Sequence, residues 1–137
     1  MGDAGISDPD VVVDFHEKLI QRLLESEQVL AVLEGQTGVI GVHVKDPDVA
    51  MRINIDGENT RIERVDGGEE ELEDARITMR WDTALRFWQG SLDIMGALFT
   101  GKIKVSGVNM DPLFRLKSII SEAKQASREV AEELGLT

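Results

Sequence analysis

Two histidines, His16 and His43, are the only imidazoles in this chain of 137 residues, so they are the first candidates for acid–base or metal chemistry. They are far apart in sequence, and neither falls in a metal-ligand spacing. A catalytic site needs several convergent groups, so each reads as a structural or solvent-exposed residue. Cysteine is absent, which removes disulfides, thiol catalysis and thiolate metal sites, and fits a reducing compartment. Serines occur without a matched histidine and acid, and no Gly-x-Ser-x-Gly or phosphate loop is present. Gly35, Gly38 and Gly41 make no dinucleotide fingerprint, because no strand leads into a helix there. Carboxylates are plentiful, but most lie on helix faces or in the Glu69-Glu70-Glu71 run, and Asp56 to Glu69 lacks the oxygen spacing of a calcium loop. The expectation is therefore no catalytic residue, no metal and no cofactor.

The elements that would carry these residues can be read from periodicity. Asp8-Pro9 marks a helix start, with proline at the first helical position. Val12, Phe15, Leu19, Leu23 and Leu30 follow at helical spacing, with Ile20 and Leu24 widening the stripe. Ser26 marks a break, and one long helix or two short ones ending near Gly35 are both compatible with the pattern. From Val39 the period becomes two: Ile40, Val42 and Val44, a turn at Asp46-Pro47-Asp48, then Met51, Ile53 and Ile55, and a weaker strand from Thr60 to Val65. Three such strands suggest an antiparallel meander. Asp66 to Asp74 reads as a solvated loop. Ile77, Met79 and Trp81 form a fourth strand, and Asp82 caps a short helix that Gly90 stops. A second short helix runs from about Leu92 to Thr100, with Leu92, Met95, Leu98 and Phe99 on one side. Its several helix ends mark this segment as a gate. A fifth strand holds Ile103 and Val105, and a long helix follows through Met110, Leu113, Leu116, Ile120, Ala123, Ser127, Val130 and Leu134.

This order gives an α+β fold, a five-stranded mainly antiparallel sheet with helices packed on one face. Residues 1–8 are expected to be a flexible N-terminus and 9–137 a single domain with an extended C-terminal helix. Strand parity sends Ile40, Val42, Val44, Met51, Ile53, Ile55, Ile77, Met79, Trp81, Ile103 and Val105 toward the helices. It sends His43, Lys45, Arg52, Arg80, Lys102 and Lys104 outward. A chain of formal net charge -11 thus carries a basic sheet face. That face reads as a solvated surface or as a transient contact with anionic membrane or an acidic partner.

Net charge argues against a nucleic-acid partner, which needs a basic footprint to neutralise phosphates. The first residues lack the basic and apolar regions of a secretory signal, Ile6 stands where a myristoylation motif wants Ser or Thr, and Gly135-Leu136-Thr137 is no peroxisomal address. No apolar run approaches the roughly 20 residues of a membrane span. A cytoplasmic location is expected.

Two runs carry a family resemblance: Ala75-Arg-Ile-Thr-Met-Arg-Trp-Asp82, and Gly90-Ser-Leu-Asp-Ile-Met-Gly-Ala-Leu-Phe-Thr-Gly-Lys-Ile-Lys-Val-Ser-Gly107. They resemble the sterol carrier protein type 2 domain, whose pattern is met at Gly90, Leu92, Asp93, Met95, Ala97, Gly101, Lys102, Ile103, Lys104, Val105 and Gly107. Leu98-Phe99 departs from the usual aromatic-first order. The resemblance implies helices covering a five-stranded sheet, with a hydrophobic tunnel between them that takes a sterol, a fatty acid or an acyl-CoA. It makes the stretch from Arg76 to Ile120 one wall of that tunnel, with Ile77, Met79, Met95, Phe99, Ile103, Val105, Leu113 and Leu116 as lipid-binding residues. The implied activity is carriage without catalysis, by a monomer or a homodimer.

Two other readings compete. One keeps the fold but fills the tunnel, leaving an interaction module that works through oligomerisation or the basic face. The other, an isomerase acting on an apolar substrate, needs a buried acid or base that the sequence does not reveal. An empty apolar cavity of about 400 Å³ would cost on the order of 10 kcal/mol, so a carrier should hold a lipid or gain stability on binding one.

Overall fold

Capping residues set where the helices begin, and the two open helices at the start of the chain are distinct. The computed structural model describes residues 8–68, 72, 76–106 and 111–136, the side chains from 111 to 121 excepted. Helix α1 is Pro9–Leu23, and the Asp8 carboxylate accepts a hydrogen bond from the Asp10 N–H at 2.9 Å. Helix α2 is Glu27–Leu33, and the Ser26 hydroxyl accepts one from the Val29 N–H at 3.4 Å. Ser26 therefore closes the choice between one helix and two, because its side chain satisfies N–H groups that a continuous helix would bond to its own carbonyls.

Strands β1 (Thr37–Lys45), β2 (Val49–Asp56) and β3 (Arg61–Arg64) form the expected antiparallel meander. Strand β4 (Arg76–Arg80) then returns to pair with β1 in parallel, and β5 (Ile103–Ser106) lies antiparallel to β4, giving the order β3-β2-β1-β4-β5. The sheet is mixed and mostly antiparallel. The register aligns the apolar parity across all of it: Val49, Val44, Met79 and Ile103 make one row, and Met51, Val42, Ile77 and Val105 the next. These residues join α1 and its neighbours in one core that includes Val12, Phe15 and Leu19. Complete burial of a residue such as Phe15 or Leu19 contributes about 1.5–3 kcal/mol.

Trp81 leaves the strand and opens helix α3 (Trp81–Trp88), still fully buried. Asp82, expected to cap that helix from outside, sits inside its first turn, where its carboxylate accepts from the Thr83 N–H at 2.9 Å. The helix ends in a Schellman motif. Gly90 has φ 72°, its N–H donates to the Phe87 carbonyl at 3.2 Å, and the Ser91 N–H donates to the Arg86 carbonyl at 3.0 Å. Helix α4 (Ile94–Thr100) is shorter than its apolar stripe suggested, and α5 spans Asp111–Glu133. In the described half of α5, Ala123, Ser127, Val130 and Ala131 are buried. Arg22 of α1 ties down the other side by pairing with Glu129 at 2.7 Å and with Glu133.

The outer sheet face is not wholly solvated. His43 has the outward parity but is only 4% exposed, and Leu72, within the segment read as a solvated loop, is 6% exposed. Leu72 forms a second small cluster with Ala50 and Val65. Ala50 stands opposite His43 in the register, on the outer side. Leu72, between β3 and β4 in sequence, packs down on Gly41 of the central strand β1. A Cβ at Gly41 would lie 3.1 Å from the Leu72 Cβ and 3.2 Å from the Arg76 Cβ. A side chain there would make Leu72 or Arg76 give way by a few tenths of an ångström. Parity identified the face, but not what covers it.

Candidate functional site

The apolar layer between helices and sheet contains a cavity of about 30 Å³. Its walls are Ile20, Leu23 and Leu24 of α1, Val29 and Leu33 of α2, Ile40, Ile53 and Ile55 of β1 and β2, Thr60, and Trp88 of α3. Helices α1 and α2, on either side of the Ser26 break, each supply part of this wall. Thr60 is the only residue of the wall with a hydroxyl, and that group is engaged. It donates to the Gly57 carbonyl at 2.7 Å and accepts from the Asp56 N–H at 3.0 Å. The cavity therefore meets only apolar surface.

Among the described residues expected to line a tunnel, Ile77, Met79, Met95, Phe99, Ile103 and Val105 do not border this cavity. Ile77, Met79 and Ile103 are buried in the same core, on the β4–β5 half of the sheet, and Val105 is half-buried beside them. Met95 is 68% exposed and Phe99 95% exposed, so both face solvent. The reason is helical phase: Ala97 is the buried residue of α4 and Ile94 and Leu98 pack beside it, which turns Met95 and Phe99, one turn apart, to the far side. Leu113 and Leu116 lie on α5 among side chains outside the described residues. The residues missed were those of α1 and α2. Their signal was present in the extra width that Ile20 and Leu24 give to the α1 stripe.

An aromatic cluster stands at the rim of the cavity. Trp88 borders the cavity and donates its indole N–H to His16 Nε2 at 3.1 Å. His16 Nδ1 donates to the Val12 carbonyl at 2.8 Å. Both ring nitrogens are thus used, which fixes one neutral tautomer. Burial pushes the His16 pKa from its ordinary 6.5 down to about 4, against a smaller upward effect of the Val12 carbonyl. Phe15 meets His16 and Trp81 edge-on, both with ring centroids 5.3 Å apart. Such a histidine has no free nitrogen to move a proton. The Trp81 indole N–H is buried with no hydrogen-bond partner among the described residues. Ser127 of α5 donates to the Lys124 carbonyl at 2.9 Å and to the Trp88 carbonyl at 3.2 Å, binding α5 to the end of α3.

Two polar grooves lie outside the core. One, of about 520 Å³, is bordered by Glu27, Glu34 and Glu58 with Leu30 and Ala31. The other, of about 320 Å³, runs from Thr100 and Gly101 to Lys45, Thr78, Arg80, Lys102 and Lys104 at the outer side of β1, β4 and β5. Lys45, Arg80, Lys102 and Lys104 are exposed as the strand parity requires, while Arg52 is half-buried.

With this geometry in place, the comparisons fall into line with the fold. Residues 17–121 match the SCP-2 sterol transfer family, and the chain belongs to that family. Its fold is that of solved sterol carrier proteins. The crystal structure of sterol carrier protein 2 aligns at 22% identity and TM-score 0.64, covering 85% of this chain and 95% of the other. A conserved hypothetical protein from Thermus thermophilus aligns at 22% identity and TM-score 0.63, over 85% of each chain. The apo form of sterol carrier protein 2 from Yarrowia lipolytica aligns at 14% identity and TM-score 0.58, over 85% and 91%. At these identities the likeness is one of fold. No curated protein sequence matches the chain. Among the described residues, no helix is long and apolar enough to cross a membrane.

Proposed function

We propose that this protein binds and carries a hydrophobic molecule, of the sterol, fatty-acid or acyl-CoA kind, without doing chemistry on it. The observation that carries this reading is the wholly apolar cavity between the helices and the sheet of a chain in the SCP-2 sterol transfer family. The α1–α2 layer and the faces of β1 and β2 form one wall, and Ile77, Met79, Ile103 and Val105 extend the apolar surface toward β5. A cavity of about 30 Å³ holds about one water, whereas ligand sites run to about 300 Å³ or more. Loading therefore requires the helical layer to move off the sheet.

The small cavity also favours a second reading, in which the interior is filled and the protein acts as an accessory module in an assembly. Native mass spectrometry of freshly purified protein separates the two. Co-purifying lipid supports carriage, and a clean apo mass in a larger assembly supports the accessory module. Delipidated protein should gain about 8 °C in melting temperature at a hundredfold excess of ligand over Kd. A melting point indifferent to fatty acid, sterol and acyl-CoA alike would overturn the carrier reading.

A further inference from the structure

An apolar tip and a row of cations meet at the end of α4, and carriage in the interior uses neither. Met95 and Phe99 stand one turn apart on the solvent side of α4, 68% and 95% exposed. From Phe99 the chain passes through Thr100 and Gly101 into the groove bordered by Lys45, Arg80, Lys102 and Lys104. Lys45 and Arg80 are register partners on β1 and β4, and Lys104 stands opposite Thr78 on the same outer side. Arg80 is shared with Asp46 at 3.5 Å and Asp82 at 3.7 Å, and Asp93 lies near Lys102 at the start of α4. Among the described residues, Lys45, Lys102 and Lys104 enter no ion pair. In a chain of net charge -11, this corner is a local reversal of sign.

Size decides which occupant fits. Two such side chains offer about 300 Å² at most, well short of the roughly 800 Å² per partner of a stable protein interface. A bilayer surface has no such threshold. Single aromatic and aliphatic side chains enter the headgroup boundary while lysines act on anionic lipids across a Debye length. We propose that this corner docks the protein on membranes containing anionic phospholipid, with Phe99 and Met95 entering the interface and Lys45, Arg80, Lys102 and Lys104 facing the headgroups. Docking is independent of whether the interior carries a ligand.

Flotation with vesicles of phosphatidylcholine, alone or mixed with phosphatidylserine, tests this on the full chain. The expected result is binding to the mixed vesicles only. Phe99→Asp should lower the bound fraction about tenfold, and Lys102→Glu with Lys104→Glu at least as much, at about fivefold per charge. Melting curves of both variants should match wild type, since the three side chains are exposed. Equal binding to neutral and anionic vesicles, or undiminished binding by both variants, would overturn the proposal. So would self-association that Phe99→Asp abolishes in a protein that ignores vesicles, because the patch would then belong to a second copy. Fatty-acid uptake in vesicle-free solution should be the same in the double lysine variant and wild type. A protein that docks but takes up no ligand would overturn carriage and leave docking standing.

Discussion

His16 shows how one residue type can be present without its usual chemistry. Its two nitrogens are held by Val12 and Trp88, and burial keeps it neutral. Because the folded pKa, about 4, lies below the unfolded value near 6.5, the unfolded state binds the proton first. The stabilisation is complete above the unfolded pKa and is lost as pH falls from about 6.5 to about 4. The shift corresponds to about 3 kcal/mol. Urea unfolding near pH 7 and near pH 4.5 should show wild type losing more than His16→Gln, and taking the difference cancels the carboxylates common to both. Equal losses would mean that His16 is already charged in the folded state. Trp88→Phe should cost about 1–3 kcal/mol in the same assay, since it leaves the buried His16 Nε2 without a donor.

At the scale of elements, the strands were legible and their cover was not. Alternation placed Ile40, Val42, Met51, Ile53, Ile77 and Ile103 on the inner face, and the register confirms each row. Parity says which face a side chain takes. It does not say what packs on that face, so His43 read as solvated although Leu72 clusters with Ala50 on the same outer side. A lone leucine among glycines and acids was the available clue. The walls of the cavity come from α1, α2, β1, β2 and Trp88, elements that the family motif in α4 and β5 does not include. Gly41→Val should crowd Leu72 and Arg76 at a cost of about 1–3 kcal/mol. In urea unfolding, Gly41→Val and Leu72→Ala together should cost less than the sum of the two, because both disturb one contact. Helix α4 is held in the core by Ala97 with Ile94 and Leu98 beside it, and its amides should exchange faster than those of β1 and β4. Equal protection would exclude the gate read from its sequence.

For the whole molecule, charge and docking respond to salt with opposite signs. A net charge of -11 repels itself in the compact state, so raising salt to about 0.15 M should raise the melting temperature modestly. The same salt should weaken vesicle binding, which depends on a local cluster of cations. Measuring both on one sample separates a global effect from a local one, and parallel changes would show that the basic corner is not an independent unit.

The aromatic cluster has one further consequence, and it is optical. The chain has no tyrosine and two tryptophans, and both indoles stand beside His16, with Trp88 also on the cavity wall. Its tryptophan emission therefore arises beside His16, at the rim of the interior. A molecule entering that space would change the surroundings of Trp88 directly, and a proton reaching His16 would place a charge against both indoles. The unlabelled protein thus carries its own reporter for the opening of its helical layer.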